Sequence, residues 1–436
     1  MRTRTLMGAQ NCGFGPASVL VAVSRLLSGH ERVFVGDGIA AEFARRNAAA
    51  FDGVHELTDP YGNGAALLDR LLANSDQVVS VMDADLVLRS VVARRPVVLV
   101  DCLFGFWQHH RHSLARIRDL CATVPRASFA AARGHLAGLS PHERVLAAHV
   151  LADHSVVQNF PGISRRMAEF TEAGAEGVMH LTGPLVDLGG LKNAREGEPA
   201  TGGAVSGGAV TGGPATGGGD YDLLINTGGF KNFLLDFEAN NDYLRLIDRW
   251  IPDLLTDWPR FTRVLVCGGP YAGCRGGAHR SSGRWIDRRF LPQRELLPQV
   301  ARTPHSLIAP GLSALNEATL LDRLPLGLHE QHYAHTFTIR NLADTLFGRQ
   351  AARFADVLPG LVLPEDDYAG TEALASTAGR ILKDDDLYAR FRRTLNERIE
   401  QYLFLTPEQR RGGVAELRRV LDGPPAPSVI ASILTV

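Results

Sequence analysis

The clearest chemical pattern in this sequence is the stretch APGLSALNEA, which runs from Ala309 to Ala318. A short apolar segment leads into a Pro-Gly turn at Gly311, and Ser313 then opens a helix that carries Glu317. The first N–H groups of a helix have no partner within it, so together with the Ser313 hydroxyl they can hold a phosphate group. Glu317 can accept hydrogen bonds from ribose hydroxyls, although a single helix glutamate is more often solvated.

Two further stretches of the second half suit the same ligand. Glu330 and Gln331 follow the next apolar segment and can hydrogen-bond the hydroxyls of a sugar. Gly228 and Gly229 follow an earlier apolar segment, where exposed N–H groups can contact diphosphate oxygens and Lys231 can neutralise their charge. The alternative for this second stretch is a glycine turn beside a solvated lysine. We expect these residues to bind a phosphorylated donor.

A third glycine turn lies near the start of the chain. Gly13, Phe14 and Gly15 directly follow the first strand-like segment, and small residues allow the backbone to turn sharply and approach a ligand. The pattern is not a complete G-x-G-x-x-G, because Ser18 occupies the third glycine position. The turn is therefore a candidate for acceptor binding, and a plain strand-to-helix turn is the alternative.

Other candidate residues of the first half follow its later strands. Asp101 ends one of them and is the candidate catalytic residue, as a base or for orienting the acceptor, with helix capping as the alternative. Phe104 and Trp107 can stack on a planar acceptor, and Gln158 can hydrogen-bond it.

The cysteines and histidines do not form a recognisable metal site. The five cysteines include no C-x-x-C pair. His109, His110 and His112 form one cluster and His329, His332 and His335 another, but no cysteine or aspartate completes either set. We expect no bound metal and no cofactor.

The segments that carry these residues alternate between strand and helix. Candidate strands of the first half are Thr5–Ala9, Arg32–Gly36, Gln77–Met82, Pro96–Val100, Ser155–Asn159 and Gly177–Leu181. Candidate strands of the second half are Asp222–Asn226, Arg263–Cys267, Ser306–Ala309 and Leu324–Leu328, and Phe337–Leu346 is among its candidate helices. Such alternation predicts parallel sheets with helices on both faces.

The domain division follows from a break in this pattern. Residues 195–220 are rich in glycine, serine and threonine and are predicted to be a flexible linker. We predict an α/β protein with a Rossmann-like acceptor domain at 1–194, a Rossmann-like donor domain at 221–385 and a helical tail at 386–436. The two domains are expected to face a central cleft.

Composition excludes several classes of function. The 436 residues suit two domains, and the formal net charge of −1 does not suit a nucleic-acid or membrane-surface binder. We expect no signal peptide, and no apolar run reaches the roughly 18 residues that a membrane span needs, so we expect a cytoplasmic protein. The oligomeric state is left open.

The runs SLIAPGLSALNEA and LPLGLHEQH resemble the donor-binding region of GT-B glycosyltransferases that use nucleotide diphosphate sugars. The resemblance implies that Gly311 and Ser313 contact the diphosphate, that Glu317 binds the ribose and that Glu330 and Gln331 contact the donor sugar. It also implies a metal-independent enzyme, with a final helix, Asp386–Tyr402 or Pro407–Leu421, that crosses back onto the first domain.

The strings VVLVDCLFGFW and VVQNFPG are similar to cytosylglucuronate and hydroxymethylcytosylglucuronate synthases of nucleoside-antibiotic pathways. This resemblance implies inverting transfer of glucuronate from UDP-glucuronate to a ring nitrogen of cytosine. Arg340 is the candidate partner of the glucuronate carboxylate. A nucleotide-sugar epimerase of GT-B-like shape and a non-catalytic nucleotide-binding protein remain the alternatives.

Overall fold

The apolar segments of the first half form a parallel sheet in the computed structural model, which describes residues 2–59, 62, 64–175, 177–196, 221–228, 237–268, 277–281 and 283–434. Its strands are β1 (Arg4–Ala9), β2 (Glu31–Gly36), β3 (Gly53–Glu56), β4 (Gln77–Val81), β5 (Val97–Asp101), β6 (His154–Gln158) and β7 (Val178–Thr182). They lie in the order β3-β2-β1-β4-β5-β6-β7.

Helices cover both faces of this sheet, so its central strands are buried on both sides. Every residue of β5, for example, is buried. The helices are α1 (Phe14–Leu26), α2 (Gly38–Arg46), α3 (Ala65–Ala73), α4 (Ala84–Val92), α5 (Leu114–Ala122), α6 (Phe129–His135), α7 (Pro141–Leu151), α8 (Ile163–Glu172) and α9 (Leu188–Glu196).

The second half forms a separate, mostly parallel sheet. Its strands are β8 (Leu223–Asn226), β9 (Arg263–Cys267), β10 (Gly277–Ser281), β11 (Arg284–Arg289), β12 (His305–Ile308) and β13 (Leu326–Gly327). They lie in the order β10-β11-β9-β8-β12-β13, and only the pairing of β10 with β11 is antiparallel among the described strands.

The helices of the second half pack around this sheet and then return to the first domain. They are α10 (Phe237–Asp257), α11 (Gln293–Arg302), α12 (Leu312–Leu320), α13 (Tyr333–Asn341), α14 (Leu346–Gln350), α15 (Phe354–Val357), α16 (Asp367–Lys383), α17 (Asp385–Leu403), α18 (Pro407–Leu421) and α19 (Ala426–Leu434). The two segments predicted to cross back, α17 and α18, mainly contact elements of the second domain, whereas α19 contacts α1, β6 and β7 of the first.

The chain passes between the domains at two places that touch each other. The first passage follows β7 at Gly183, and the second follows α18 at Gly423. The Gly183 N–H donates to the Pro424 carbonyl oxygen at 2.8 Å. A Cβ at Gly183 would lie 3.0 Å from the Gly423 oxygen, and one at Gly423 would lie 2.9 Å from the Gly183 nitrogen, so a side chain at either position would crowd the backbone of the other connection.

The predicted fold class is confirmed: two Rossmann-like domains face each other, and a helical region follows the second sheet. The sequence did not indicate β3, β10 or β11. Strand β11, RWIDRR, buries little besides Ile286 and Asp287, so it lacks the apolar run that marks the central strands.

The helix predicted at Phe337–Leu346 is wrong in its bounds, because the segment is divided between α13 and α14. Thr345 lies at the break, and its hydroxyl accepts a hydrogen bond from the Gly348 N–H at 3.2 Å. The threonine therefore acts as the N-cap of a new helix and ends the predicted one. None of the helices in the described residues has both the length and the apolar character needed to cross a membrane.

Candidate functional site

Loops at the carboxyl ends of the two sheets enclose a cavity of about 190 Å³ between the domains. Open α/β sheets bind their ligands at this end of the strands. The lining residues come from both domains, and they include the following residues predicted from the sequence: Gly13, Phe14, Gly15, Gly228, Gly311, Ser313 and Glu317. The structure thus brings the predicted acceptor turn and part of the predicted donor site to one place.

The wall from the first domain is the turn between β1 and α1. Gly13 has a φ of 137°, which residues other than glycine rarely adopt. It directly precedes the first turn of α1. Asn11 fixes the turn, because its Oδ1 accepts from the Ile39 N–H at 2.9 Å and its Nδ2 donates to Asp37 at 3.2 Å. A Cβ at Gly15 would lie 3.5 Å from the Ser313 hydroxyl, so this turn lies directly opposite α12.

The wall from the second domain is the start of α12. Gly311 occupies the N-cap position, where no side chain caps the helix, and residues Gly311 to Ala314 line the cavity. The N–H groups of the first helical turn therefore face a space that a ligand can enter. Such an N-terminus carries partial positive charge and suits an anionic group.

Glu317 lies further along α12 and connects the two domains. Its Oε1 accepts hydrogen bonds from Gln293 Nε2 at 2.9 Å and from the Ser18 hydroxyl at 3.3 Å. Gln293 Nε2 also donates to the Ser18 oxygen at 2.8 Å. Burial raises the pKa of Glu317 to about 7, against the hydrogen bonds from Gln293 and Ser18, which lower it. Oε2 has no hydrogen-bond partner among the described residues.

Two imidazoles in contact with each other, at an interplanar angle of 35°, line the cavity. The rings of His332 and His335 have centroids 3.8 Å apart, and both side chains line the cavity. Burial lowers the pKa of His332 to about 4 and that of His335 well below its ordinary value. Both rings are therefore neutral near pH 7.

An aromatic group closes another part of the cavity. Phe14 stacks on Phe290 with ring centroids 4.6 Å apart, and Phe43 lies 5.5 Å from Phe14. The Arg46 guanidinium lies 4.2 Å from the centre of the Phe290 ring. The sequence interpretation missed Phe43, Phe290 and Gln293. Phe290 directly follows β11, so recognising that strand would have placed Phe290 at the carboxyl edge of the sheet.

Asp101 does not reach the cavity, and the expectation of a catalytic residue at this position is corrected. The side chain is fully buried. Its Oδ2 accepts from Trp107 Nε1 at 2.6 Å and His149 Nε2 at 2.8 Å, and Oδ1 accepts from the Leu103 N–H at 2.7 Å. The carboxylate is thus enclosed by donors of its own domain and cannot contact an acceptor.

The predicted acceptor residues Phe104, Trp107 and Gln158 are also buried away from the cavity. Phe104 packs against His149 with centroids 4.5 Å apart, and Trp107 donates to Asp101. Gln158 Oε1 accepts from the Leu185 N–H at 3.0 Å. A short helical turn at Phe104–Phe106 directs these aromatic side chains into the core.

The remaining donor candidates are not on the cavity wall. Glu330 and Gln331 are buried outside it, and Glu330 Oε2 accepts from the Phe354 N–H at 2.9 Å. Gly229 and Lys231 lie outside the described residues. Arg340 is exposed and donates to the Tyr333 hydroxyl at 3.3 Å. Its expected role towards a carboxylate stays a prediction.

The histidine clusters do not assemble with other ligands. In the described part of the chain, no group of three or more His, Cys, Asp or Glu side chains is arranged to hold a metal ion. His112 Nδ1 lies 3.5 Å from Glu143, and His329 lies between Phe354 and Phe391 with both ring nitrogens buried.

No protein-family model matches the chain, and no curated protein sequence matches it. Among solved structures, the chain is similar to UGT89C1 of Arabidopsis thaliana complexed with UDP, at 11% identity and a TM-score of 0.44, with 99% of this chain and 98% of the other covered. It is similar to UGT2 of Phytolacca americana complexed with UDP-2fluoro-glucose and pterostilbene, at 13% identity and a TM-score of 0.43, with 96% and 99% covered.

The chain is also similar to the glycosyltransferase SnogD of Streptomyces nogalater, at 13% identity and a TM-score of 0.36, with 96% of this chain and 99% of the other covered. At such low identity and TM-score these similarities support no conclusion about activity. The function has to be argued from the cavity itself.

Proposed function

We propose that the protein is a glycosyltransferase that moves a sugar from a UDP-sugar to a small acceptor. The observation that carries this proposal is the uncapped N-terminus of α12, which opens into a cavity between two Rossmann-like domains beside the carboxylate of Glu317. A helix N-terminus suits a diphosphate, and a nearby carboxylate oxygen that accepts no hydrogen bond from a described residue suits ribose hydroxyls. Together they match the two polar parts of a nucleoside diphosphate.

The rest of the cavity divides between base and acceptor. Phe290 lines the wall next to Gln293, and an aromatic face with an adjacent amide can stack on and hydrogen-bond a nucleobase. Met82 and Leu103 line the cavity from the first domain, near the turn at Gly13. The acceptor would bind there, opposite the diphosphate, which leaves the sugar between the two.

In this arrangement the transfer is a single displacement at the anomeric carbon. The acceptor nucleophile forms a bond to that carbon, the carbon–oxygen bond to the diphosphate breaks, and UDP leaves with the electron pair. His332 would take the acceptor proton, since its neutral imidazole lines the cavity. Such a step inverts the anomeric configuration and requires no metal ion.

The finer proposal concerns the two substrates: glucuronate as the sugar and a ring nitrogen of cytosine as the acceptor, in nucleoside-antibiotic biosynthesis. A flat base suits the apolar side chains of Met82 and Leu103, and the small cavity favours a small acceptor. The resemblance of VVLVDCLFGFW and VVQNFPG to cytosylglucuronate synthases supports the same pair of substrates.

Calorimetry and product analysis test these proposals separately. UDP is expected to bind more tightly than NAD, and Phe290→Leu should weaken UDP binding by about 10-fold, because a stacked base contributes about 1–3 kcal/mol. Tighter binding of NAD, or no nucleotide binding, would contradict the proposal.

For the reaction, the protein is incubated with UDP-glucuronate and cytosine, and mass spectrometry follows UDP release and the glycosylated base. Product with a phenol but with no pyrimidine would reject cytosine and retain the glycosyltransferase. Conversion of the sugar without any acceptor would instead favour an epimerase.

A further inference from the structure

His335 lies over the start of α12 with one ring nitrogen directed at the cavity. A Cβ at Gly311, the N-cap residue of α12, would lie 3.6 Å from His335 Nε2. The side chain is only 5% exposed, yet it lines the cavity together with residues Gly311 to Ala314. Nε2 has no hydrogen-bond partner among the described residues, so it is available to whatever group binds at the helix N-terminus.

The protonation state of this ring follows from its other nitrogen. His335 Nδ1 lies 3.2 Å from the Gln331 backbone nitrogen and accepts its N–H. A nitrogen that accepts a hydrogen bond carries no proton, so the proton of the neutral ring is on Nε2. Burial and the neighbouring His332 both keep the ring from becoming charged. His335 therefore presents a fixed, neutral N–H donor to the cavity.

Charged donors are not available on the described wall. The described residues that line the cavity include neither arginine nor lysine. Among the described residues at the start of α12, the backbone N–H groups, the Ser313 hydroxyl and His335 Nε2 can donate to an anion. Neutral donors in a water-poor site still stabilise developing negative charge effectively, because they are held in place before the reaction.

We propose that His335 binds the diphosphate of the donor through its Nε2–H and stabilises the departing UDP as a neutral hydrogen-bond donor. This inference rests on the proposed function and adds a residue from α13 to the diphosphate site. Gln331 has a positioning role in it, since its backbone N–H fixes the tautomer of the ring.

Two substitutions at the same position separate the two nitrogens of the ring. His335→Asn keeps an acceptor near the place of Nδ1 and removes the donor, whereas His335→Gln keeps a donor near the place of Nε2. Calorimetry with UDP and with uridine then isolates the diphosphate, since both ligands share the nucleoside. We expect His335→Asn to weaken UDP binding by about 10- to 100-fold, to leave uridine binding unchanged, and to be largely rescued in His335→Gln.

An NMR measurement on the unaltered protein provides a test that does not depend on the folding of a variant. With ¹⁵N-labelled histidine, the His335 Nε2–H signal should shift on addition of UDP and not on addition of uridine. An unchanged ratio of UDP to uridine affinity in His335→Asn, or a signal that does not respond to UDP, would reject the role of His335. If the unaltered protein binds neither UDP nor uridine, the proposed function itself fails and this inference fails with it.

Discussion

Two buried carboxylates, Asp101 in the first domain and Glu317 in the second, differ in how their oxygens are used. Both Asp101 oxygens accept hydrogen bonds, from Trp107, His149 and the Leu103 backbone. Glu317 uses Oε1 for Gln293 and Ser18, and its Oε2 has no partner among the described residues. A fully satisfied carboxylate holds its surroundings together, whereas one with an open oxygen beside a cavity can bind a ligand.

The comparison also shows which carboxylate lowers the stability of the folded protein when it is ionised. An ionised group removed from water is unfavourable unless hydrogen bonds compensate for the lost hydration. Glu317 has only two such donors on one oxygen, and burial raises its pKa to about 7. The site thus combines ligand-binding capacity with local instability, as is common where a protein keeps polar groups for function.

The largest expected effect is on folding at Asp101. Asp101→Ala leaves the His149 and Trp107 donors buried without a partner, and we expect the free energy of unfolding to fall by about 3–5 kcal/mol. Urea unfolding followed by circular dichroism measures this. Asp119→Ala is the matched control, because the Asp119 carboxylate is exposed beside Arg118, and its change should be within about 0.5 kcal/mol. Equal changes in unfolding free energy for Asp101→Ala and Asp119→Ala would contradict the structural role of Asp101.

The next effect is a pH dependence that belongs to Glu317. Its pKa of about 7 in the folded state exceeds the ordinary value of 4.5, so the folded protein retains a proton that the unfolded chain has lost. The contribution of Glu317 to the free energy of unfolding therefore falls as the pH rises from 4.5 to about 7, and it is constant below and above this range. The total decrease is about 3 kcal/mol.

Glu317→Gln removes this dependence and provides the measurement. The variant should be more stable than the unaltered protein at pH 8, and that advantage should disappear at pH 4.5. Unfolding by urea at both pH values tests it. A stability difference between variant and parent that is the same at both pH values would show that Glu317 titrates normally.

Glu317→Gln should also weaken nucleoside binding by about 10-fold, because hydrogen bonds to a charged acceptor are stronger than those to a neutral one. Calorimetry with uridine at pH 8 measures the effect. Asp101→Asn serves as the control at the other carboxylate, and it should leave uridine affinity unchanged in the folded fraction. Loss of uridine affinity in both Glu317→Gln and Asp101→Asn would contradict the assignment of ligand binding to Glu317 alone.

The smallest effect is expected at Ser18. Ser18→Ala removes one donor to Glu317 and one acceptor of Gln293, for which we expect a loss of about 1 kcal/mol in unfolding free energy. Fewer donors should also raise the pKa of Glu317 further, so the pH dependence should extend to higher pH. A pH profile identical to that of the parent would indicate that Ser18 does not stabilise the Glu317 carboxylate.

The sequence predicted the fold class and the position of α12 because both depend on local pattern. Apolar strands with Pro-Gly or glycine turns after them are visible in single segments of chain. The contact of Glu317 with Ser18 was not visible, since the two residues lie 299 positions apart along the chain. Asp101 was misassigned because a carboxylate after an apolar strand looks the same in sequence whether its side chain turns inward or towards a ligand.

The contact between Gly183 and Gly423 limits how the two domains can move relative to each other. Both connections between the domains pass through this one place, so the domains can rotate about an axis there without stretching either connection. Contacts elsewhere between the domains must then separate, and these include Ser18 with Glu317 and the 3.0 Å pair of His142 with Asp367. The strength of such contacts would set the rate at which the cavity opens, and through it the rate at which a bound ligand is released.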